Sequence, residues 1–505
     1  MKVLIFQQRG WGIKFGHYLA TRIKIKYPDA RFYALVFKDT TMKFIQRQSD
    51  LTYEKIVLFD DLQNNPEKYI SRNVSLSDIC DKLNIGSVWP MMQSMRLYVR
   101  DYAKKYYYSY RKRATDDEMR NIIKSTFCLI EGIFEEFSPD LVITPNFVSI
   151  PHIIMSLYAE KLGIKVLSIA DTKIRGVYIW VYNHFASRGR FFNVYNNFLD
   201  NENIIDGYLK ERAKLYLEKF RNEYIAPEYM EKPSVSFKMS SIINYSYLKR
   251  AVRNNKFLLL LASLIRGNRS KSIYSFTTPD NRNRRIILRD YFAERSYRRE
   301  VLKWKFDILA DGENYAYFPL QFQPEASLDV IAPHFNNQIE VVRQAAMSLP
   351  GDMVLVVKEH PAMIGKRPPS YLEKIQKLPN VKFVDYKVRS YDLIKNAKIV
   401  ITINSTASIE GAFLGIPSIQ FGNLGTTLLL PHVTKCTDFT NISNVISRIL
   451  EENFKSDKYD KYLISYIAAA YKTGFELDYG AIWEFGAEGN LEPLWDSLRD
   501  ELESD

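Results

Sequence analysis

Two segments of the chain each run from a short apolar stretch into a polar turn, and this pattern constrains the fold most. The first, MVLVVKEHPAMIGKR, begins at Met353, and the second, KIVITINSTASIEGAFLGIPSIQFG, begins at Lys398. Residues 354–357 and 398–403 are apolar and β-branched enough to form buried parallel strands. Ligands of an open parallel sheet bind outside the carboxyl ends of its strands. The sequence therefore predicts a binding site where these two polar turns lie side by side.

The turn of the second segment is predicted to start a helix. Residues 407–414 have helix-forming composition and are followed by a glycine and a proline that end the helix. In the preceding turn, a hydroxyl of Ser405 or Thr406 caps the helix, and free N–H groups attract an anion such as phosphate. Glu410 lies one helical turn deeper and is placed to accept hydrogen bonds from a ribose. We predict ligand contacts from Asn404 and from these three residues; a plain cap with a solvated glutamate is the alternative.

The turn of the first segment carries a histidine among basic residues. His360 closely follows the strand, and Pro361 stops the strand from continuing. Lys358, Lys366 and Arg367 surround it with positive charge, which suits an anionic ligand. A purely structural histidine is the alternative. We predict that His360, Pro361 and Lys358 contribute to the same ligand site.

These motifs resemble a known family. KEHP, the later INSTASIEGAFLGIPSIQFG and the earlier YFPLQFQPE are similar to the C-terminal half of bacterial capsule and surface-polysaccharide glycosyltransferases of the GT-B type. Those with His-Pro and Ser-Thr motifs include enzymes that use CMP-activated Kdo or sialic acid. The similarity covers residues 315–422. It implies that the ligand of the predicted site is the nucleotide-sugar donor. Gln323 and Pro324 then join the His-Pro pair around this donor, assisted by Gln321 or Glu325.

Length and element order predict two domains. A chain of 505 residues with 46% hydrophobic content is too long for one core. Strands and helices alternate in the first half as well, which favours another parallel sheet. With the resemblance, this predicts an α/β, GT-B-like fold of two Rossmann-like domains facing a cleft. The predicted parts are an acceptor-side domain at 1–235, a basic helical insert at 236–310, a nucleotide-sugar domain at 311–455 and returning helices at 456–505.

The N-terminal stretch is predicted to be a strand, a glycine-rich loop and a helix. Gly10, Gly12 and Gly16 lack the spacing of the dinucleotide fingerprint, so a nucleotide role for this loop is weakly indicated. In a two-domain transferase the loop would face the cleft. Arg9 and His17 are then expected to contact the donor or acceptor sugar, and a plain structural turn is the alternative.

Polar residues also follow two later strands of the first half. Asn146 follows one strand, and Asp171, Lys173 and Arg175 follow the next. A carboxylate at a cleft serves as general base or as nucleophile toward an anomeric carbon, and an arginine binds a donor carboxylate bidentately. We predict Asp171 and His17 as the catalytic residues and Arg175 as the ligand of a substrate carboxylate. A loop aspartate paired with a neighbouring cation is the alternative.

The excess positive charge is confined to one segment. Residues 241–305 hold 16 Lys and Arg against 4 Asp and Glu, which equals the net charge of +12 of the whole chain. Within it, the apolar run 257–265 is too short to span a bilayer but suits an anionic membrane surface. A buried helix with a basic flank is one alternative. Nucleic acid is another, but no recognition motif accompanies the charge, and we predict none as a partner.

The remaining features predict a cytoplasmic protein. The three cysteines form neither a metal pattern nor a disulfide framework. The first apolar run is too short for a secretory signal, and no run reaches the ~20 apolar residues of a membrane span. We expect a peripheral protein on the inner face of the cytoplasmic membrane, with no metal and no cofactor beyond the nucleotide sugar.

The predicted function is transfer of a sugar from a nucleotide donor to a glycan or lipid-linked acceptor in capsule or surface-polysaccharide synthesis. By the resemblance, the sugar is Kdo or another CMP-activated keto sugar. Three alternatives stay open: a transferase that uses UDP sugars, an epimerase of the UDP-GlcNAc 2-epimerase kind, and a non-catalytic scaffold of a polysaccharide assembly complex.

Overall fold

The computed structural model describes residues 1–95, 115–223, 225, 284–479, 482 and 489–504. These residues form an α/β protein with two sheets. The strands are β1 Lys2–Gln7, β2 Arg31–Val36, β3 Lys55–Leu58, β4 Leu141–Thr144, β5 Lys165–Asp171, β6 Val177–Val181, β7 Tyr315–Pro319, β8 Val354–Lys358, β9 Val381–Val384, β10 Ile399–Thr402, β11 Ser418–Gln420, β12 Val433–Lys435 and β13 Phe475–Glu476.

Helices connect most of these strands. Within the described residues, the α-helices of four or more residues are α1 His17–Lys26, α2 Asp39–Gln46, α3 Phe59–Asn64, α4 Leu76–Leu83, α5 Trp89–Met92, α6 Asp116–Phe137, α7 Ile150–Lys161, α8 Arg190–Asp200, α9 Gly207–Asn222, α10 Arg284–Leu302, α11 Ala326–Asp329, α12 Gln338–Met347, α13 Pro369–Gln376, α14 Ser390–Asn396, α15 Ala407–Phe413, α16 Gly425–Leu428, α17 Ile442–Leu450, α18 Asp457–Thr473 and α19 Glu492–Glu503. Short 3-10 turns occur at Pro66–Tyr69, Glu202–Ile204, Pro333–Phe335, Pro361–Met363 and Phe439–Asn441.

The first sheet has the strand order β13-β6-β5-β4-β1-β2-β3. Strands β1 to β5 pair in parallel, and β6 pairs antiparallel with both β5 and β13. The second sheet, β12-β11-β10-β7-β8-β9, is parallel throughout. Helices cover parallel sheets on both faces, and this is why their central strands are buried apolar runs. The predicted fold class, two Rossmann-like domains of the GT-B kind, is confirmed.

The strands and helix of the two motif segments are confirmed with small shifts of their ends. The predicted strand 354–357 is Val354–Lys358, and the predicted strand 398–403 is Ile399–Thr402. The predicted helix 407–414 is Ala407–Phe413. Each polar turn therefore starts at the carboxyl edge of the second sheet.

The glycine-rich stretch after β1 differs from its prediction. The sequence favours a loop, but the backbone is helical from Arg9 onward, with a π-helical turn at Gly12–Gly16 leading into α1. The reason is close packing against the end of β1. A Cβ atom at Gly16 would overlap the side chain of Gln7, and one at Gly12 would lie 2.8 Å from Thr41 Cγ2. The glycines therefore allow a close approach between helix and sheet.

The C-terminal part of the chain completes the first domain. Strand β13 extends the first sheet beside β6, and α19 buries three side chains against the layer that also contains Trp11 and Phe15. Those three side chains are Leu494, Trp495 and Leu498. The chain thus crosses from the second domain back to the first through α18.

Hydrogen bonds hold the two domains together away from the strand ends. Arg221 Nε, on α9, donates to the carbonyl oxygen of Phe413 at the end of α15, at 2.9 Å. The hydroxyl of Tyr391 donates to the carbonyl of Arg221 at 2.8 Å. Farther along, the N–H of Gly425 donates to the carbonyl of Phe185 at 2.8 Å. The α9 contacts tie the first domain directly to the helix that carries Glu410.

The basic insert lies largely outside the described residues. Of the predicted segment 236–310, residues 284–310 are described, and they include α10. The apolar run 257–265 falls outside them, and so does the side chain of Arg9. Among the helices that the structure describes, none combines the length and apolar character required to cross a membrane.

Candidate functional site

Charged side chains from both domains meet at the carboxyl edges of the two sheets. Asp171 is the last residue of β5, and Lys358 is the last residue of β8. Glu410 lies on α15, directly after β10. Lys173 interacts electrostatically with Asp171 of its own domain and with Glu410 of the other. We call these four residues the charged cluster.

Asp171 and Lys173 form the first-domain half of the charged cluster. The Lys173 Nζ atom lies 2.8 Å from Asp171 Oδ2, and its backbone N–H donates to Oδ1 at 2.7 Å. Lys173 has φ of 67°, in the left-handed region that disfavours a side chain. Strained backbone of this kind concentrates at functional sites. The Asp171 side chain is 43% exposed and so remains accessible.

The environment of Lys173 links the two domains. Burial lowers its pKa, but the Asp171 carboxylate, and then those of Glu325 and Glu410, outweigh burial and raise the pKa above the ordinary value. Glu325 precedes α11 and is exposed, with its carboxylate accepting a hydrogen bond from the Ser327 hydroxyl at 2.9 Å. Lys173 is therefore a cation held among acidic groups of both domains.

Lys358 supplies a buried amine in the second-domain half. Its Nζ atom donates to the carbonyl of Val388 at 2.9 Å. Burial lowers its pKa to about 8, and the carboxylates of Glu410 and Asp385 oppose that shift. An anion bound beside this amine would favour the charged form.

Thr406 and Glu410 interact directly on the first turn of α15. The Thr406 hydroxyl donates to Glu410 Oε1 at 2.9 Å. Burial raises the pKa of Glu410, and the Thr406 hydroxyl, Lys358 and Lys173 act in the opposite direction. The second carboxylate oxygen remains available as an acceptor for a ligand hydroxyl, since a carboxylate has several lone pairs.

His360 is held as a neutral hydrogen-bond donor. Its Nδ1 atom accepts the backbone N–H of Ala362 at 3.2 Å, so the neutral ring carries its proton on Nε2. Burial, reinforced by Arg367, Lys358 and Lys366, lowers the pKa of His360 to about 4. Near neutral pH the ring is therefore an N–H donor without charge.

The serine and asparagine of the second motif have contacts within the protein. Ser405 Oγ accepts the backbone N–H of Ala407 at 3.2 Å, in agreement with a capping role. Asn404 Nδ2 donates to the carbonyl of Ser327 at 2.7 Å, and its Oδ1 accepts the N–H of Leu424 at 3.3 Å. Asn404 thus holds two loops in place. A direct contact of either residue with the donor stays a prediction.

Gln323 and Pro324 are buried beneath the loop that follows β7. Gln323 Nε2 donates to the carbonyl of Asn336 at 3.0 Å, and its Oε1 accepts from Gln338 Nε2 at 3.2 Å. These bonds support the loop shape, and donor contacts of Gln323, Pro324 and Pro361 stay predictions.

His17 is engaged within the first domain. Its Nε2 atom lies 3.0 Å from Asp50 Oδ1, and its ring meets that of Phe44 edge-on at 5.8 Å. The structure thus groups His17 with these residues and not with the charged cluster. Arg175 is exposed and donates its backbone N–H to the hydroxyl of Tyr216 at 3.3 Å. A contact of Arg175 with a substrate carboxylate stays a prediction.

Two aromatic residues beside Asp171 have no signal in the sequence. Tyr466 donates its hydroxyl to the carbonyl of Thr172 at 3.0 Å. Burial raises the pKa of Tyr216 to about 12, with contributions from Asp171 and Glu410. Both tyrosines sit on helices far from β5 in sequence, so only the folded chain reveals them. Across the described part of the chain, no group of three or more His, Cys, Asp or Glu is placed to hold a metal.

Two Rossmann-like domains with charged residues at their facing strand ends define a GT-B-like α/β protein. The family is indicated by the sequence of the second half. Residues 265–424 match the family described as "Capsule polysaccharide biosynthesis protein". The resemblance stated from the motifs is thereby confirmed over that range.

The individual proteins that this chain resembles match it over a short range or at low sequence identity. Protein FixF of Sinorhizobium fredii (strain NBRC 101917 / NGR234) is 34% identical over 128 residues, which are 24% of this chain and 29% of FixF. The chain thus spans under a third of that relative. KpsC, a beta Kdo 2,7 transferase of Thermosulfurimonas dismutans, aligns over 82% of this chain and 96% of its own, with 13% identity and a TM-score of 0.35.

A sugar-nucleotide enzyme also aligns. UDP-GlcNAc 2-epimerase from Neisseria meningitidis, solved with UDP-GlcNAc, covers 94% of this chain and 98% of its own, with 12% identity and a TM-score of 0.25. Likeness at this level leaves the activity to be derived from the site.

Proposed function

We propose that this protein is a glycosyltransferase of capsule or surface-polysaccharide synthesis, with its nucleotide-sugar donor bound by the second domain. The observation that carries the proposal is the charged cluster, because it gathers an exposed carboxylate, two amines and a helix-borne glutamate where the two sheets face each other. A transferase needs groups of this kind to bind phosphate, orient a sugar and move a proton.

The donor phosphate is assigned to His360 and Lys358. The Nε2–H group of His360 donates a hydrogen bond, and the Lys358 ammonium supplies the positive charge that a phosphate requires. Glu410 accepts hydrogen bonds from ribose hydroxyls, with Thr406 fixing its carboxylate. These residues give the phosphate two hydrogen-bond donors, one neutral and one charged.

The chemical step is assigned to Asp171. Its carboxylate is accessible and faces the second domain through Lys173. As general base it would take the proton of the acceptor hydroxyl while that oxygen displaces the nucleotide phosphate from the anomeric carbon. As nucleophile it would itself displace the nucleotide phosphate, and the acceptor hydroxyl would then displace the carboxylate and release the glycosylated product. Arg175, on the same turn, is proposed to hold a donor carboxylate. His17 is proposed for the acceptor side, since Asp50 and Phe44 engage it within the first domain.

We propose a CMP-activated keto sugar, such as CMP-Kdo, as the donor. This choice rests on the His-Pro and Ser-Thr motifs, which resemble those of transferases that use CMP sugars. Thermal-shift measurements with CMP, CDP and UDP test it. Stabilisation by the cytidine nucleotides is expected, and stabilisation by UDP alone would favour a UDP sugar.

Separate incubations with CMP-Kdo and with UDP-GlcNAc distinguish the candidate activities. Transfer in the presence of a glycan acceptor is expected, and Asp171→Asn should lower kcat by about 10²-fold or more. The matched control is Asp352→Asn, which removes an exposed carboxylate from the turn before β8 and should leave kcat unchanged. Epimerisation of UDP-GlcNAc without acceptor would indicate an epimerase, and binding without turnover would indicate a scaffold.

The basic segment is proposed to bring the enzyme to the inner face of an anionic membrane. Residues 241–305 carry the whole net charge and enclose the apolar run 257–265. Vesicle binding should rise with anionic lipid and fall with salt, because salt screens charge over about 10 Å at 0.1 M. Changing Leu258 and Leu260 to Ser should weaken binding even at low salt. Absence of binding to anionic vesicles at low salt would contradict the proposal.

A further inference from the structure

A buried polar network joins the three strand ends that carry the second domain's site residues. Gln321 follows β7, Glu359 and His360 follow β8, and Asn404 follows β10. Arg367, seven residues beyond His360 in the chain, reaches back into the same place. The side chains of Glu359 and Arg367 are each 1% exposed. Sequence motifs treat these residues separately, whereas the structure connects them.

Arg367 is the centre of the network. Its Nη1 atom donates to both carboxylate oxygens of Glu359, at 2.7 and 2.9 Å, and Nη2 donates to the carbonyl of Gln321 at 2.7 Å. Glu359 Oε1 also accepts the backbone N–H of His360 at 2.7 Å. Gln321 Oε1 accepts the backbone N–H of Asn404 at 3.1 Å. A continuous path therefore runs from the His360 backbone to the turn before α15.

The physical role of this network is to fix the positions of the groups that it binds. A buried ion pair contributes little net stability, because desolvating two charges offsets their attraction, and apolar replacements of similar volume are often as stable. The planar fork of an arginine, in contrast, fixes the groups that it binds in defined positions. The low local dielectric around a buried network also strengthens its hydrogen bonds, which holds the bonded groups in place.

We infer that Glu359 and Arg367 are positioning residues, which fix His360 and the turn 404–406 relative to each other so that both reach one donor molecule. This inference rests on the proposed function. It assigns to the glutamate of KEHP a role that acts through its neighbours and not through contact with the donor.

The double variant Glu359→Leu/Arg367→Met tests the inference because it removes both charges and keeps most of the volume. The protein should remain folded, with a Tm close to that of the wild type. Calorimetry with CMP and UMP should show at least tenfold weaker binding of whichever nucleotide the wild type binds. The control is Glu131→Leu/Arg72→Met in the first domain, where the glutamate is buried, the arginine is partly exposed and Lys82 also pairs with Glu131; this variant should leave affinity unchanged.

A second readout separates this inference from the proposed function. The imidazole of His360 can be titrated by NMR after assignment with His360→Asn. In Arg367→Lys, which keeps the positive charge near the ring and loses the fork, its midpoint should rise by at least one pH unit, because a ring that is no longer held in place is less desolvated. If the wild type binds neither nucleotide, the proposed function fails, and the titration alone decides the positioning role.

Unchanged nucleotide affinity in the folded double variant would overturn the inference, as would an unchanged His360 midpoint in Arg367→Lys where no nucleotide binds. If the double variant does not fold, Arg367→Lys replaces it, because the lysine keeps the charge and loses the fork. That variant should bind the nucleotide severalfold more weakly. Wild-type affinity in Arg367→Lys would likewise overturn the inference.

Discussion

Burial sets the charge of the residues assigned to the donor phosphate. Lys358 is buried at the end of β8, and its pKa is lowered to about 8. His360 is neutral down to a pKa of about 4. Between pH 5.5 and 9, the charge of the phosphate site therefore changes through the lysine and not through the histidine.

Nucleotide affinity should accordingly fall as the pH rises above about 8. The bound phosphate requires the charged amine, and each pH unit above the pKa reduces the charged fraction about tenfold. Calorimetry between pH 7 and 9.5 measures this decrease. Lys358→Gln should bind weakly at all of these pH values and lose the dependence, whereas the exposed Lys374→Gln should retain it. Constant wild-type affinity up to pH 9.5 would exclude Lys358 from the site.

At the residue scale, sequence patterns predict the residues of the candidate site but not the contacts among them. His360 and Thr406 were predicted because proline and glycine signals define where each strand ends, which is local information. Lys173 and Glu410 are more than two hundred residues apart in the chain, and only the packing of two domains brings them together. The pairing of Glu359 with Arg367 likewise depends on how the loop after β8 folds back.

At the element scale, the helical stretch after β1 depends on the absence of side chains at two glycines. A Cβ atom at Gly16 would overlap Gln7 and Trp11, whereas a Cβ atom at Gly10 would meet nothing within 4 Å. Both positions are helical. Alanine substitutions at the two positions therefore form a matched pair. Comparing their effects on the free energy of unfolding separates the contribution of steric packing from that of helix propensity.

Gly16→Ala should destabilise the protein by roughly 1–3 kcal/mol, the usual range for overpacking. Gly10→Ala should be neutral or slightly stabilising, because alanine favours the helix by up to about 1 kcal/mol. Urea unfolding measures both free energies. Equal effects of the two substitutions would show that the close approach to β1 carries no energetic weight.

Element prediction was accurate where the signals were local. Strands β8 and β10 are buried β-branched runs that precede polar turns, and their bounds were predicted to within one residue. The antiparallel strands β6 and β13 were not predicted. Strand β6 follows β5 after a tight turn, and β13 comes from the far end of the chain, so its place in the first sheet is determined by tertiary packing. The helix after β1 was mistaken for a loop because its glycines serve packing.

At the scale of the whole molecule, buried histidines couple folding to pH. Burial lowers the pKa of His152 to about 3 and those of His184 and His432 to about 4. Folded-state values below the ordinary 6.5 mean that unfolding takes up protons as the pH falls. Their contribution to stability is complete above pH 6.5 and is lost on acidification toward pH 4, by up to about 1.4 kcal/mol per pH unit for each histidine.

His432→Phe should therefore flatten the pH dependence of the unfolding free energy between pH 6.5 and 4. His432 is fully buried against Phe454 and Tyr459, at ring distances of 5.3 and 5.2 Å, so a phenylalanine fits the surroundings chemically. The exposed His334→Phe serves as the control and should leave the slope unchanged. Parallel curves for His432→Phe and wild type would contradict the assigned role of this histidine.

The fold class was predictable because length, strand–helix alternation and the family resemblance agree. The membrane-surface role of residues 241–305 stays a prediction from charge. The choice of sugar and acceptor depends on first-domain residues, which the sequence indicates only because they follow predicted strands. The proposed function depends on a nucleotide site on the second domain, with His360 at its centre.

Calorimetric titration of wild type, His360→Ala and His334→Ala with CMP, CDP and UDP tests that claim most directly. We expect the wild type to bind the cytidine nucleotides, His360→Ala to lose about tenfold or more of that affinity without loss of Tm, and His334→Ala to bind like wild type. Equal nucleotide affinity in wild type and His360→Ala, or no nucleotide binding by the folded wild-type protein, would contradict it.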